Sequence, residues 1–262
     1  MGVLNVTPDS FSDGGRFLDT GRAVEHAARM QEEGAAIIDV GGESTRPGAA
    51  PVATEEELRR VIPVVEALAR RITAVISVDT SRPEVMRAAA AAGAGFINDV
   101  RALSVRGALA AAAATRCAVC LAHMQGEPAT MQRNPRYTDV VSEVRAYLLE
   151  RVQACRRAGL AEDRIVIDPG FGFGKTLQHN LALLRAVPQL ARSGVPVLVG
   201  LSRKSVVAGL TGRPPAERLP GSLALATIAA LNGAAVIRAH DVAATVDALK
   251  VVAAVQRSPR VD

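Results

Sequence analysis

Short apolar runs recur along the chain, and nearly every one ends abruptly on a polar residue. They are Val3–Val6, Ala36–Val40, Ala74–Val78, Gly95–Asn98, Ala118–Ala122, Arg164–Ile167, Pro196–Val199 and Ala235–Arg238. Their length and apolar content predict buried strands. Helical patterns fill the intervals. One spans Ala53–Arg71, with Thr54 as N-cap and Glu57 completing a capping box. Another runs from Arg136 to Ala158 and stops at Gly159. The spacing is ~30 residues per unit, as βαβ units demand. Eight such units are what a closed α/β barrel, the (β/α)8 or TIM barrel, requires. No linker or low-complexity stretch interrupts them, so residues 1–262 are expected to form one domain. The Ala-rich segment Ala108–Ala114 is simply a good helix former.

The sharpest example of the phrase is Ile165–Thr176. Four strand residues end on Asp168, and Pro169 then stops the ladder because it has no N–H to donate. Gly170, Gly172 and Gly174 let the backbone turn and approach a ligand. A helix follows from about Leu177. Gly174-Lys175-Thr176 resembles the end of a phosphate-binding P-loop, but that motif needs a glycine where Pro169 stands. G-x-G-x-x-G fails too, since Phe173 takes the last glycine position.

In barrels of this kind, functional groups gather at the C-terminal ends of the strands. The tips here are Asn5, Asp39 with the Gly41–Gly48 loop, Asp79, Asn98 and Asp99, His123 and Met124, and Asp168. Ser202-Arg203-Lys204 follows Gly200, and Arg238 and His240 close the set. One polar strand end is commonly a cap or a turn former. A polar residue at nearly every tip predicts a lined cavity.

Composition narrows the partners. The chain is 49% hydrophobic with 3% aromatics and no Trp, so its core must be aliphatic. No basic-then-apolar leader and no membrane-length apolar run is present, which predicts a cytoplasmic protein. The net charge of +5 is scattered and lacks aromatic interleaving, so an anionic small molecule is expected and not nucleic acid. Cys117 and Cys120 stand three apart in an apolar run, on opposite faces of a strand; with Cys155 they read as core residues, not as a metal or redox site.

Three chemistries follow from the tips. Asp79, Asn98 and Asp168 suit a flat, donor-rich heterocycle, although Asp79 or Ser81 has an alternative use as N-cap of the next helix. Arg238 and His240 share a face if the strand persists that far and, with Thr45 and Arg46 opposite, suit a phosphate or pyrophosphate. The alternative for His240 is to cap the last helix with Asp241. Asn5 offers Mg²⁺ a neutral oxygen, which suits an ion that keeps its waters and shares phosphates. Ser202–Ser205 precedes a helix start and suits a carboxylate, with Ser205 donating and Lys204 pointing its charge inward.

The motifs carry a resemblance. Gly2–Gly15 (GVLNVTPDSFSDGG), Asp39–Gly48 (DVGGESTRPG), Ser77–Thr80, Ile97–Asp99, His123–Gly126, Asp168–Phe173, Ser202–Lys204 and Arg238–His240 are similar to the signatures of the dihydropteroate synthases. The resemblance runs from the first residues to the last helix. It implies a cytoplasmic, Mg²⁺-dependent enzyme of folate biosynthesis, usually a homodimer and a target of sulfonamides. Such an enzyme joins 6-hydroxymethyl-7,8-dihydropterin pyrophosphate to 4-aminobenzoate. By position it assigns Asp79, Asn98, Asp168 and Lys204 to the pterin pocket, with Met124 and Gly200 among the substrate-binding tips, and Asn5 to the metal. Thr45, Arg238 and His240 fall on the pyrophosphate site. Phe11, Asp13, Arg46, Pro47, Phe173 and Ser205 match mobile loops and the aminobenzoate pocket. Asp168, Lys204, Arg238 and His240 are the expected catalytic residues. Family members generally carry a lead-in before the first signature, which closes the barrel bottom; with strand one starting almost at Met1, lower stability or a misassigned start is expected. The competing readings are a pterin-barrel methyltransferase and a non-catalytic pterin-binding paralogue. The last two helices, through Leu223–Leu231 and Val242–Val255, are the expected dimer face.

Overall fold

The computed structural model describes residues 1–7, 16–44 and 52–257. Eight parallel strands form in chain order: β1 (Gly2–Asn5), β2 (Ile37–Gly41), β3 (Val75–Asp79), β4 (Phe96–Asp99), β5 (Ala118–Ala122), β6 (Ile165–Asp168), β7 (Leu198–Val199) and β8 (Val236–Ile237). The first six pair consecutively in one sheet, and β7 pairs with β8. Two isolated parallel bridges close the ring, Ile167 with Val197 and Gly2 with Ala239. The Ile167 N–H donates to the Pro196 carbonyl at 2.9 Å, and the Val3 N–H to Ala239 at 3.1 Å. The strands expected over Pro196–Val199 and Ala235–Arg238 are shorter than the sequence pattern suggests. Pro196 has only a carbonyl to offer the ladder.

Ten helices wrap the described part of the ring: α1 (Arg16–Glu32), α2 (Thr54–Ala69), α3 (Pro83–Ala92), α4 (Ala108–Ala113), α5 (Val140–Arg157), α6 (Leu177–Arg185), α7 (Val187–Ala191), α8 (Ser205–Thr211), α9 (Leu219–Leu231) and α10 (Val242–Arg257). Strand side chains divide by the pleat. Ile38, Val40, Ile76, Val78, Ile97, Val119, Leu121, Ile165 and Ile167 join the large aliphatic core with helix residues such as Val61, Leu68, Met86 and Leu148. The alternate positions give a much smaller cluster, Phe96, Cys120 and Leu198, with Met1, Ala118, Val166 and Val236 against it. Cys117 and Cys120 therefore fall in different clusters, and all three cysteines are free and buried. So little apolar filling leaves the same face to polar groups at other positions.

Two helix starts differ from the sequence pattern. The N-cap of α2 is Ala53, with no side-chain cap. Glu57 is drawn away by Arg82, whose Nε lies 2.8 Å from its carboxylate, and Thr54 Oγ1 accepts from the same guanidinium at 3.0 Å. Helix α5 begins at Val140, capped by Asp139, not at Arg136. The backbone of Arg136 is occupied by Gln125, which accepts its N–H at 3.2 Å and donates to its carbonyl at 2.9 Å.

Candidate active site

Strand register stacks polar side chains on one face of the ring. Val3, Asp39, Ser77, Phe96 and Ala118 are successive partners across the strands, and Asn5, Gly41, Asp79, Asn98, Cys120 and Val166 form the next layer. Asp39 is fully buried and accepts from Ser77 Oγ at 2.5 Å, Asn98 Nδ2 at 3.0 Å and Arg238 Nε at 2.7 Å. A second nitrogen of Arg238 donates to Asp79 Oδ2 at 3.1 Å. One guanidinium thus bridges two carboxylates of adjacent layers, the kind of partner a buried acid needs if it is to stay charged. Burial, and then the Asp39 charge, push the Asp79 carboxyl up to about 7. Asp79 is no helix cap. Helix α3 is preceded by Arg82 with no side-chain cap, and Ser81 donates instead to Asp99 at 2.5 Å.

The other wall is built by the β6–α6 loop. Asp168 accepts the Gly170 N–H at 2.7 Å, and burial raises its carboxyl against the opposing pull of Lys204. Lys204 donates to the Phe171 carbonyl at 2.5 Å and sits 4.5 Å from the centre of the Phe173 ring, a cation–π contact. Its ammonium is lowered to about 8, chiefly by burial. Gly170 has φ +70, and a Cβ there would lie 1.8 Å from the His123 carbonyl, so the loop presses on the β5 end as only glycine permits. Gly200 lies between the two cations: a Cβ there would be 3.7 Å from Arg238 Cβ and 3.9 Å from Lys204 Nζ.

Asn5 meets the same chamber. Its Oδ1 and the Asp79 Cβ both lie 3.7 Å from where a Cβ of Gly41 would stand. The ladder does persist past β8, since Ala239 bridges Gly2 and is buried. Arg238 and His240 accordingly flank it on one face. His240 is held by Ser202, whose Oγ lies 3.1 Å from its Nδ1 and also accepts its backbone N–H at 3.1 Å. Arg203 adopts φ +58 and turns outward to pair with Asp241 at 3.0 Å through Nε, leaving Lys204 to point in. Ser205 is exposed at the first turn of α8, and Met124 is half-buried beside His123. Phe11, Asp13, Thr45, Arg46 and Pro47 lie outside the described residues.

Two groups have roles that the strand-tip reading does not give them. Asp39 lies two residues before the end of β2, yet it is the acceptor that joins Arg238, Asn98 and Ser77. The period of two that places Asp79 inward places Asp39 there as well. Lys175, set aside with the false P-loop, is 3% exposed and lies against His123.

The chain matches known proteins over most of its length. Residues 1–240 match the family described as "Pterin binding enzyme". The chain is 58% identical over 254 residues to dihydropteroate synthase of Escherichia coli (strain K12), covering 97% of this chain and 90% of that one. It belongs to the dihydropteroate synthase family. It is accordingly an enzyme, a transferase of that type, and the methyltransferase and binding-only readings fall away. The Yersinia pestis dihydropteroate synthase, solved as a sulfonamide drug complex, superposes with a TM-score of 0.94 at 51% identity over 98% of this chain and 94% of that one. The Xanthomonas albilineans dihydropteroate synthase, solved with 4-aminobenzoic acid, gives 0.93 at 55% identity over 99% and 93%. The barrel expected from the strand count is the fold of these synthases.

Proposed function

We propose that the open end of the barrel joins 6-hydroxymethyl-7,8-dihydropterin pyrophosphate to 4-aminobenzoate, with the residues above in the following roles. The observation that carries the assignment is the inward set of Asp79, Asn98 and Asp168, with Lys204 beside Asp168 and Arg238 beside Asp79. A pterin presents N–H and NH2 donors along one edge and acceptors on the other, and carboxylates, an amide and an ammonium match that pattern. The aminobenzoate nitrogen forms a bond to the pterin methylene as the C–O bond to pyrophosphate breaks, and the amine proton leaves to water. An arylamine is a weak nucleophile, so departure of pyrophosphate is the step to assist. Arg238 and His240, with Thr45 and Arg46, stabilise the charge growing on it. Asp168 faces the positive charge that develops on the pterin ring. Phe173 and Ser205 serve the aminobenzoate together with Phe11, Asp13 and Pro47, and Met124 and Gly200 shape the pterin end.

Asn5 fits the family's Mg²⁺. Among the described residues no cluster of three His, Cys, Asp or Glu side chains is placed to hold a metal. A neutral oxygen suits an ion that takes its other ligands from pyrophosphate and water. Bound there, Mg²⁺ supplies charge neutralisation to the leaving group. A homodimer through α9 and α10 accounts for the exposed Ile228, Leu231, Val251 and Val255. A cytoplasmic location is consistent with the described residues, in which no helix is long and apolar enough to cross a membrane.

Pyrophosphate release from the purified protein, with Mg²⁺, pterin pyrophosphate and 4-aminobenzoate omitted in turn, tests the reading. Release that needs all three, with dihydropteroate formed in equal amount, is expected. Pterin binding without release would overturn it.

A further inference from the structure

Two motifs remain without a role in this scheme, His123 at the β5 tip and Lys175 in the glycine loop, and they meet. Lys175 Nζ lies 2.9 Å from His123 Nδ1, and donates to the carbonyls of Gly170 at 2.9 Å, Phe173 at 3.0 Å and His123 at 3.2 Å. No carboxylate of the described residues stands within ion-pair distance of it. A buried ammonium held only by dipoles is costly, and burial lowers its pKa to about 7. The ammonium has three N–H groups to share among these four partners; while it is charged it has nothing to accept with, so His123 Nδ1 is then the acceptor and the ring proton sits on Nε2. Burial and the Lys175 charge agree with that neutral form, pushing the imidazole down to about 3.

The carbonyls that Lys175 gathers frame the groups the pterin end relies on. Between Gly170 and Phe173 lie the N–H that holds Asp168, the Phe171 carbonyl that holds Lys204, and the ring under Lys204. Gly170 and Gly174, both at positive φ, let this turn lie backbone to backbone on the β5 end, where a Cβ at Gly174 would sit 2.4 Å from the Gln125 carbonyl. Such a turn points several carbonyls at one spot, and a cation is what lets them converge. The same charge also opposes the burial that would protonate Asp168.

We propose that Lys175, seated on His123, is a positioning residue: it pins the Gly170–Phe173 turn in the shape that aims Asp168 and Lys204 at the pterin. This rests on the reading of Asp168 and Lys204 given above.

The His123 ring also packs edge-on against Tyr147, with centroids 5.0 Å apart, so acceptor and packing roles must be separated. His123→Phe keeps a ring and removes the acceptor; His123→Asn keeps a polar acceptor near Nδ1 and removes the ring. The measurements are kcat, KM for pterin pyrophosphate and the melting temperature of the full chain, with Lys175→Met alongside. His123→Phe and Lys175→Met are expected to raise KM for the pterin substrate about 10-fold or more, the usual consequence of a small misplacement of binding groups. His123→Asn is expected to recover most of that loss even if its melting temperature is the lower of the two. A reversed order, with Phe active and Asn impaired in step with melting, would assign His123 to packing and overturn the pin. Wild-type KM in both His123→Phe and Lys175→Met would overturn it as well. Failure of the synthase reading itself would look different, because the unsubstituted protein would then release no pyrophosphate. If Lys175→Met does not fold, the His123 pair decides alone.

Discussion

Asp168→Asn is expected to lower turnover by about 10²–10³-fold, the range seen when one preorganised charge-stabilising group is removed. Its melting temperature should stay close to that of the unsubstituted protein. Asparagine keeps an oxygen for the Gly170 N–H at the same place, so the loop retains that bond. It also removes a carboxylate that burial already disfavours in its charged form. What it cannot supply is negative charge opposite the pterin and beside Lys204. The pH profile of stability carries a second signature. A folded-state pKa raised above the unfolded value means that the native protein holds the extra proton in the window between them, so stability falls as pH rises through that window. Asp168→Asn should remove its share of that decline. Turnover within threefold of the unsubstituted enzyme, or loss of the fold, would sink the assigned role.

Arg238→Met should have the largest effect on stability. It leaves fully buried Asp39, and Asp79 beside it, without the guanidinium that bridges them at 2.7 and 3.1 Å. Breaking a buried pair by removing one partner costs about 3–5 kcal/mol, because the remaining charge stays desolvated. The loss should depend on pH. Asp79 already stands at about 7, well above its ordinary range, and losing the cation raises it further. The native variant therefore takes up a proton as pH falls, and stability returns from pH 8 toward pH 5. Urea unfolding at the two values checks this. An equal loss at both, or a loss under about 1 kcal/mol, the range of an exposed pair, would show that the bridge carries little.

The eight strands were legible because apolar runs broken by one polar residue leave little else for the chain to do, and β5 falls on Ala118–Ala122 as the pattern predicts. Asp79, Asn98 and Asp168 were legible for a related reason: a buried strand has no packing use for them. Asp39 was legible as a strand tip but its role was harder, since that appears only when Ser77 of β3, Asn98 of β4 and Arg238 just past β8 converge on it. Lys175 was hidden by its company. Beside Gly174 and Thr176 it mimics a phosphate ligand, and only the fold shows its Nζ turned inward onto backbone carbonyls and an imidazole. The α2 cap failed for the same reason, because Arg82, far along the chain, outcompetes the local backbone for Glu57. Local rules place elements well. Side chains that answer to distant partners escape them.

The central claim is that the polar mouth of this barrel is the pterin site. A crystal structure of the protein with Mg²⁺ and the pterin pyrophosphate tests it most directly. The account predicts the ring against Asp79, Asn98 and Asp168, Lys204 beside it, and the Asn5 oxygen on the metal. A ring bound elsewhere, or a metal that ignores Asn5, would contradict it.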